Sequence, residues 1–117
     1  MYTSKISCVG IDIDKSGIEY ANKHFGNAAI FYQTDLPEMK VSEKFDVIIF
    51  RGTFQYLGEE LHASMKQLKK LLKPDGKILV FTLPTSDSFV YYLLRENWPL
   101  FHAEQRLFFN ERSVRQL

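Results

Sequence analysis

The stretch CVGIDIDKSGIEYA, Cys8 to Ala21, decides how the chain is read. A short apolar run through Val9 and Ile11 ends on Asp12 and Asp14, and a helix-start pattern follows at once. Lys5 to Ile13 is therefore expected as a buried strand. Ser16 with Glu19 three residues later is the capping-box spacing that satisfies two orphan amides. Ile18, Ala21 and Phe25 then fall on one helical face, which Gly26 can terminate. Strand passes directly into helix.

The same alternation recurs outward from there. Ala28 to Gln33 (AAIFYQ) reads as a second strand, broken by the polar loop TDLPEM with Asp35 and Pro37. KFDVIIF is a third, and its unbroken run Val47 to Phe50 suits a strand covered on both faces. Only about ten residues separate these two strands, near the lower limit for a parallel crossover, so any helix between them must be short. From Glu59 to Leu72, the spacing of Leu61, Met65, Leu68 and Leu72 predicts an amphipathic helix. KPDGK reads as a turn, since Pro74 cannot continue a helix and Gly76 is free to take a positive φ. KILVFTL is the fourth strand. TSDS offers caps for a helix over Phe89 to Glu96, closed by Asn97, Trp98 and Pro99, and Asn110 is placed to cap a last helix containing Val114 and Leu117. No repeat, low-complexity segment or linker interrupts the chain, so residues 1–117 are expected as one α/β domain with a parallel sheet.

Composition narrows the function classes. With 117 residues, 45% apolar and 15% aromatic, the chain can build a core, which excludes a disordered protein. The 15 basic and 14 acidic residues are spread along the sequence, so neither a nucleic-acid surface nor an anionic-membrane surface is marked. Lys66, Lys69, Lys70 and Lys73, the densest basic cluster, read as a solvated helix face. Cys8, the single cysteine, cannot form an internal disulfide and reads as a small core residue, which points to a reducing, cytoplasmic setting. No apolar run approaches the roughly 18 residues of a membrane span, and no signal-peptide pattern opens the chain. A soluble protein is expected.

Four segments taken in order carry a resemblance to class I S-adenosylmethionine-dependent methyltransferases. VGIDIDKSGIEYA resembles that family's second strand and following helix, and IFYQTDLPEM its third strand and acidic loop. KFDVIIFRGTFQYL resembles the fourth strand and the loop after it; LKKLLKPDGKILVFTLP resembles the helix, turn and fifth strand. FDVIIF upstream of LLKPDGKILV is the most specific combination. WPLFHAEQRLFFNERSVRQL resembles a segment that small-molecule methyltransferases of this type carry before their last two strands.

The resemblance implies a Rossmann-like fold, mostly parallel sheet with flanking helices, S-adenosyl-L-methionine as cofactor and a small-molecule acceptor. It implies that Asp12 accepts hydrogen bonds from both ribose hydroxyls, for which a carboxylate has paired acceptor oxygens. Ile13 matches the position that packs against adenine, Asp35 the acidic residue near the adenine amino group, and Leu36 a neighbouring amide and apolar contact. Arg51, Gly52 and Thr53 match the stretch that approaches the methionine part. Tyr56 stands where many relatives place histidine; tyrosine is a poor base at neutral pH, so it is a weak catalytic candidate that either bonds a substrate or packs. Methyl transfer asks mainly for alignment of the acceptor with an already activated donor, so a missing base does not argue against the family.

Each role has a structural competitor. Asp14 and Asp12 compete for the helix cap, Asp35 sits in turn-like sequence before Leu36 and Pro37, and Asp46 at a strand start reads as structural. Thr53 and Gln55 are equally readable as loop polars. Trp98, Phe101, Phe108 and Phe109 either line an acceptor pocket or pack. His24 reads as surface, and His62 and His102 are lone histidines of the kind that usually serve structure. No cluster has metal-ligand spacing and no hydrolytic triad stands out, so no metal is expected.

The six glycines contain no G-x-G. The family's first strand with its glycine-rich loop has no counterpart before Lys5, and its final two strands have none after the segment ending at Leu117. In the order 3-2-1-4-5 the absent strand is central, so open strand edges and uncovered apolar surface are expected. Either the strand near Val9 pairs with the strand near Ile48, or the chain self-associates over its edges, or another chain supplies strands. The expected function is a methyltransferase domain, weak or inactive as this chain alone. The alternative is a non-catalytic remnant serving protein association; a nicotinamide-dinucleotide Rossmann domain would also use Asp12, but LLKPDGKILV favours the methyltransferase.

Overall fold

The computed structural model describes residues 6–40, 42–100 and 104–117. Phe101 and His102 lie outside the described residues. The chain falls into two compact units, Met1–Lys40 and Val41–Leu117.

In the first unit, β1 (Val9–Asp12) runs parallel to β2 (Ile30–Gln33) in a register from Val9 opposite Ile30 to Asp12 opposite Gln33. Helix α1 (Lys15–Phe25) connects them. The strand opens at Val9, later than expected, which corrects the reading of Cys8. That residue lies just ahead of the ladder with an exposed side chain, and only its carbonyl takes part, accepting from the Ile30 N–H at 3.0 Å. The helix cap is Asp14 and not Ser16. An ionised carboxylate is the stronger acceptor. Asp14 therefore takes the N–H groups of Ser16 and Gly17 at 3.2 and 2.9 Å, and the Ser16 hydroxyl itself donates to it at 2.8 Å. Ile18 is buried, but Phe25 on the same expected face is exposed. Gly26 ends the helix, its N–H donating to Asn22 O at 3.1 Å. A turn then buries Leu36 and Met39, and no helix lies among the described residues between β2 and the next strand.

The second unit pairs β3 (Phe45–Arg51) in parallel with β4 (Leu72–Phe81), in register from Val47 opposite Lys77 to Arg51 opposite Phe81. Helix α2 (Leu61–Leu71), entered through 3₁₀ turns at Phe54–Tyr56 and Gly58–Glu60, runs straight into β4. KPDGK is thus a bulge inside β4 rather than a turn before it: Phe45 faces Leu72, the register then shifts, and Lys73 to Gly76 have no partners of their own. Gly76 is not in a positive-φ conformation. Its smallness is steric, because a Cβ there would strike Leu72 Cδ2 and stand 3.0 Å from the carbonyl oxygens of Lys73 and Phe45.

The buried line of α2 is Ser64, Leu68 and Leu71; of the expected stripe, Leu68 is buried, Leu61 and Met65 are half-buried, and Leu72 belongs to the strand. Phe50, Phe54 and Phe109 are buried as well, and their rings meet edge-on at 5.2 Å (Phe50 with Phe54) and tilted at 5.5 Å (Phe54 with Phe109). Phe109 is therefore a packing residue, held also by a parallel bridge to Thr85. Ser88 caps α3 (Phe89–Leu94), shorter than expected, and Asn110 caps α4 (Glu111–Val114) by accepting from the Ser113 N–H at 2.8 Å.

Both ladders are parallel. A ladder between β1 and β3, one of the three expected arrangements, is not among those of the described residues. Uncovered apolar surface is present as expected. Ile49 and its partner Leu79 share one face with Val47 and Phe81, and all four are exposed.

Candidate functional site

Asp12 is the last residue of β1, and its carbonyl accepts from the Thr34 N–H at 3.0 Å, which carries the pairing one step beyond β2. Asp12 and Asp35 are thereby placed at the same end of one ladder, the carboxyl end of both strands. The Asp12 Oδ1 accepts the Asp14 N–H at 2.9 Å, while its Oδ2 receives no hydrogen bond from the described residues. Because Asp14 performs the capping, Asp12 is free of it. The Ser16 hydroxyl, and then the Gly17 and Ser16 amides, hold the Asp14 carboxyl below its ordinary value.

Ile13 projects into solvent, 72% exposed, and its carbonyl accepts from Gln33 Nε2 at 3.3 Å. Asp35 is half-buried, and its Oδ1 accepts the Glu38 N–H at 3.2 Å, the turn role that its sequence context suggested. Leu36 is buried in the small core of this unit, so its side chain has little surface to offer a ligand.

The second unit presents its own group at the carboxyl end of β3. Arg51 closes the strand with an exposed side chain. Gly52 follows at φ +66, a conformation that favours glycine, and nothing lies within 4 Å of where its Cβ would stand. Its N–H donates to Phe81 O at 3.0 Å, continuing the ladder to β4. Thr53 is exposed and begins the turn in which the Tyr56 N–H donates to Thr53 O at 3.0 Å, leaving the Tyr56 side chain half-buried. Gln55, read from sequence as a loop polar, is buried and donates through Nε2 to Gly52 O at 3.2 Å. Its spacing three residues after a glycine at a strand end was the available signal.

The remaining candidates fall outside these groups. Asp46 pairs with Lys73 at 2.8 Å, a structural role, and the hydrogen bond from that ammonium holds its carboxyl below the ordinary value. His24 is exposed against the Tyr20 ring at 4.2 Å, and His62 is exposed on α2. Beyond β4 an open cleft of about 540 Å³ lies among Leu83, Asp87, Glu111, Val114 and Arg115. The described residues contain no metal-binding group of histidine, cysteine and carboxylate side chains, and no helix among them is long and apolar enough to cross a membrane.

The named groups thus stand at carboxyl ends of parallel strands, the position at which open α/β sheets take ligands. Known proteins resemble this chain over part of its length. Residues 79 in number are 32% identical to malonyl-[acyl-carrier protein] O-methyltransferase of Priestia megaterium, covering 67% of this chain and 28% of that protein. Thiocyanate methyltransferase 1 of Brassica oleracea is 31% identical over 85 residues, 68% of this chain and 38% of the relative; that of Arabidopsis thaliana is also 31% identical. The chain spans well under half the length of these curated relatives. A Methyltransferase domain family profile matches residues 2–107, a span that contains both ladders. The chain belongs to the Methyltransferase domain family.

Proposed function

We propose that this chain contributes the S-adenosyl-L-methionine site of a methyltransferase acting on a small-molecule acceptor. The observation that carries the reading is Asp12: an exposed carboxylate at a strand end, relieved of capping by Asp14 and keeping one oxygen unbonded. Such a group suits a vicinal diol: Oδ2 is open to one hydroxyl, and Oδ1, which already takes the Asp14 amide, has a second lone pair for the other. The exposed Ile13 gives an apolar surface beside it for the adenine face, and Asp35 keeps Oδ2 for the exocyclic amino group while Oδ1 serves the turn. Leu36 supports this corner from the core. Arg51, Gly52 and Thr53 attend the methionine end, where the open face of Gly52 admits close approach. When bound, the cofactor supplies an activated methyl on a sulfonium; the chain's part is to orient it and to align the acceptor, with Tyr56 as the hydroxyl nearest in sequence to that stretch. The relatives' printed names, which concern malonyl-[acyl-carrier protein] and thiocyanate, support a small or carrier-borne acceptor. A cytoplasmic setting accompanies this reading.

Calorimetric titration with S-adenosylhomocysteine tests it. Asp12→Ala should weaken binding roughly 10- to 100-fold, the scale of hydrogen bonds to a charged group, with a dispersed amide spectrum showing the fold intact. Equal affinity in the variant removes Asp12 from the site.

A second reading, a non-catalytic module for protein association, is favoured by the exposed face of Val47, Ile49, Leu79 and Phe81. On that reading a second copy of the chain covers the face, and S-adenosylhomocysteine does not bind. Sedimentation together with the same titration separates the two.

A further inference from the structure

Gln55 is enclosed in the turn after β3, only 4% exposed. Its main-chain carbonyl accepts from two successive amides, Arg106 N–H at 3.2 Å and Leu107 N–H at 3.0 Å. That segment is itself fixed, because Phe109 is buried on Phe54 and its carbonyl accepts from the Ser86 N–H at 2.8 Å. The backbone of Gln55 is thus an anchored point. From this anchor its side chain reaches back to Gly52, donating through Nε2 to the carbonyl at 3.2 Å.

The other half of the amide, Oε1, is buried and meets no donor among the described residues. A buried amide that satisfies one half and leaves the other bare calls for an explanation. Packing alone would be served as well by a methionine or leucine, neither of which carries the bare oxygen. What glutamine adds is the single donor to Gly52. That glycine is held in a left-handed conformation between two bonds, its N–H to Phe81 on β4 and its carbonyl to Gln55, with open space on its Cα face.

We propose that Gln55 is a positioning residue: it fixes the Gly52 peptide so that the Arg51–Thr53 stretch stays open to the methionine end of the cofactor. This rests on the cofactor reading above, and the two can fail separately. Gln55→Met keeps the length and removes the donor. Gln55→Glu keeps the shape, repels the Gly52 carbonyl when ionised and donates to it when protonated.

In Gln55→Met, exchange protection of the Gly52 amide should fall about tenfold while Ile48 and Phe50 keep theirs, and affinity for S-adenosylhomocysteine should weaken by about tenfold. In Gln55→Glu the Gly52 amide shift should be displaced at pH 7 and return toward the wild-type value near about pH 5, as the carboxyl protonates. A residue that merely filled space would show no such reversal. If Gln55→Met does not fold, the pH reversal in Gln55→Glu reads the same bond. Unchanged Gly52 protection, absence of the reversal, or full affinity in a variant whose Gly52 has loosened each overturns the proposal. Should the wild type ignore S-adenosylhomocysteine while Gly52 still loosens in the variants, the cofactor reading falls and the hold of Gln55 on Gly52 stands.

Discussion

Met1–Lys40 and Val41–Leu117 are built on the same motif, a two-stranded parallel ladder with a connecting helix, yet they are held together differently. The larger unit buries Phe50, Phe54, Leu68, Leu71 and Phe109, and the segment after α3 is hydrogen-bonded to Gln55 and Ser86. Among the described residues the smaller unit buries Ile18, Leu36 and Met39, while Ile30 and Tyr32 on β2 stay exposed. A lone pair of strands is marginal in water. The smaller unit therefore leans on its ladder bonds and on the Asp14 cap, whereas the larger one leans on apolar burial. The comparison teaches where each proposed contribution to binding is vulnerable: the ribose carboxylate rides on a thinly cored element, the Gly52 stretch on a firmly packed one.

The sharpest way to break this contrast is a matched pair of core truncations. Leu68 is 0% exposed, and Leu68→Ala should cost about 2–5 kcal/mol, the range for fully buried leucines. Ile18→Ala, at a 9% exposed position with few buried neighbours, should cost distinctly less and loosen α1 alone. Urea unfolding followed by amide exchange resolved to each unit measures both. Equal losses would mean that the smaller unit is as tightly cored as the larger.

A smaller effect is expected at Asp14. Its folded-state carboxyl lies below the ordinary value because the Ser16 hydroxyl and the Gly17 and Ser16 amides bond the charged form. A depressed carboxyl stabilises the fold above the unfolded-state value, and that contribution is lost as pH falls through the folded value. Amide protection in the first turn of α1 should thus decline on acidification below about pH 4. Asp14→Ala should begin at the reduced level and lose the pH dependence. If the variant kept the wild-type acid response, another carboxylate would be holding the helix start.

How much of this was legible in the sequence differs by physical cause. The strand and helix order, a helix cap within TSDS and the cap at Asn110 follow from local chemistry, and local chemistry is what a sequence displays. Asp12, Asp35 and Gly52 could be placed at strand ends for the same reason. The choice between Asp14 and Ser16 as cap was not legible, because it turns on a carboxylate recruiting the neighbouring hydroxyl as a donor. Nor was the KPDG bulge, since both a turn and a bulge use proline and glycine, and only the register with β3 distinguishes them. Gln55 escaped because its two roles depend on partners three residues back and more than fifty residues ahead. The pairing of strands into two separate ladders is likewise a property of what lies beside each edge, which no single segment encodes.

The least expected effect lies at that bulge and offers the finest test of the comparison. Asp46 sits opposite the bulged residues, and Lys73 within the bulge reaches it at 2.8 Å, with both side chains substantially exposed. Exposed pairs contribute little, because water and salt screen the attraction and two long side chains must be ordered to make it. Lys73→Met should therefore shift the unfolding midpoint only slightly, and the shift should vanish when salt is raised to about 0.5 M. The pair's acid response has the same sign as that of Asp14, since the ammonium holds the Asp46 carboxyl below its ordinary value. If Lys73→Met instead destabilised the larger unit by as much as Leu68→Ala and did so at high salt, the bulge would be held by charge, and the contrast between a capped unit and a cored one would no longer hold.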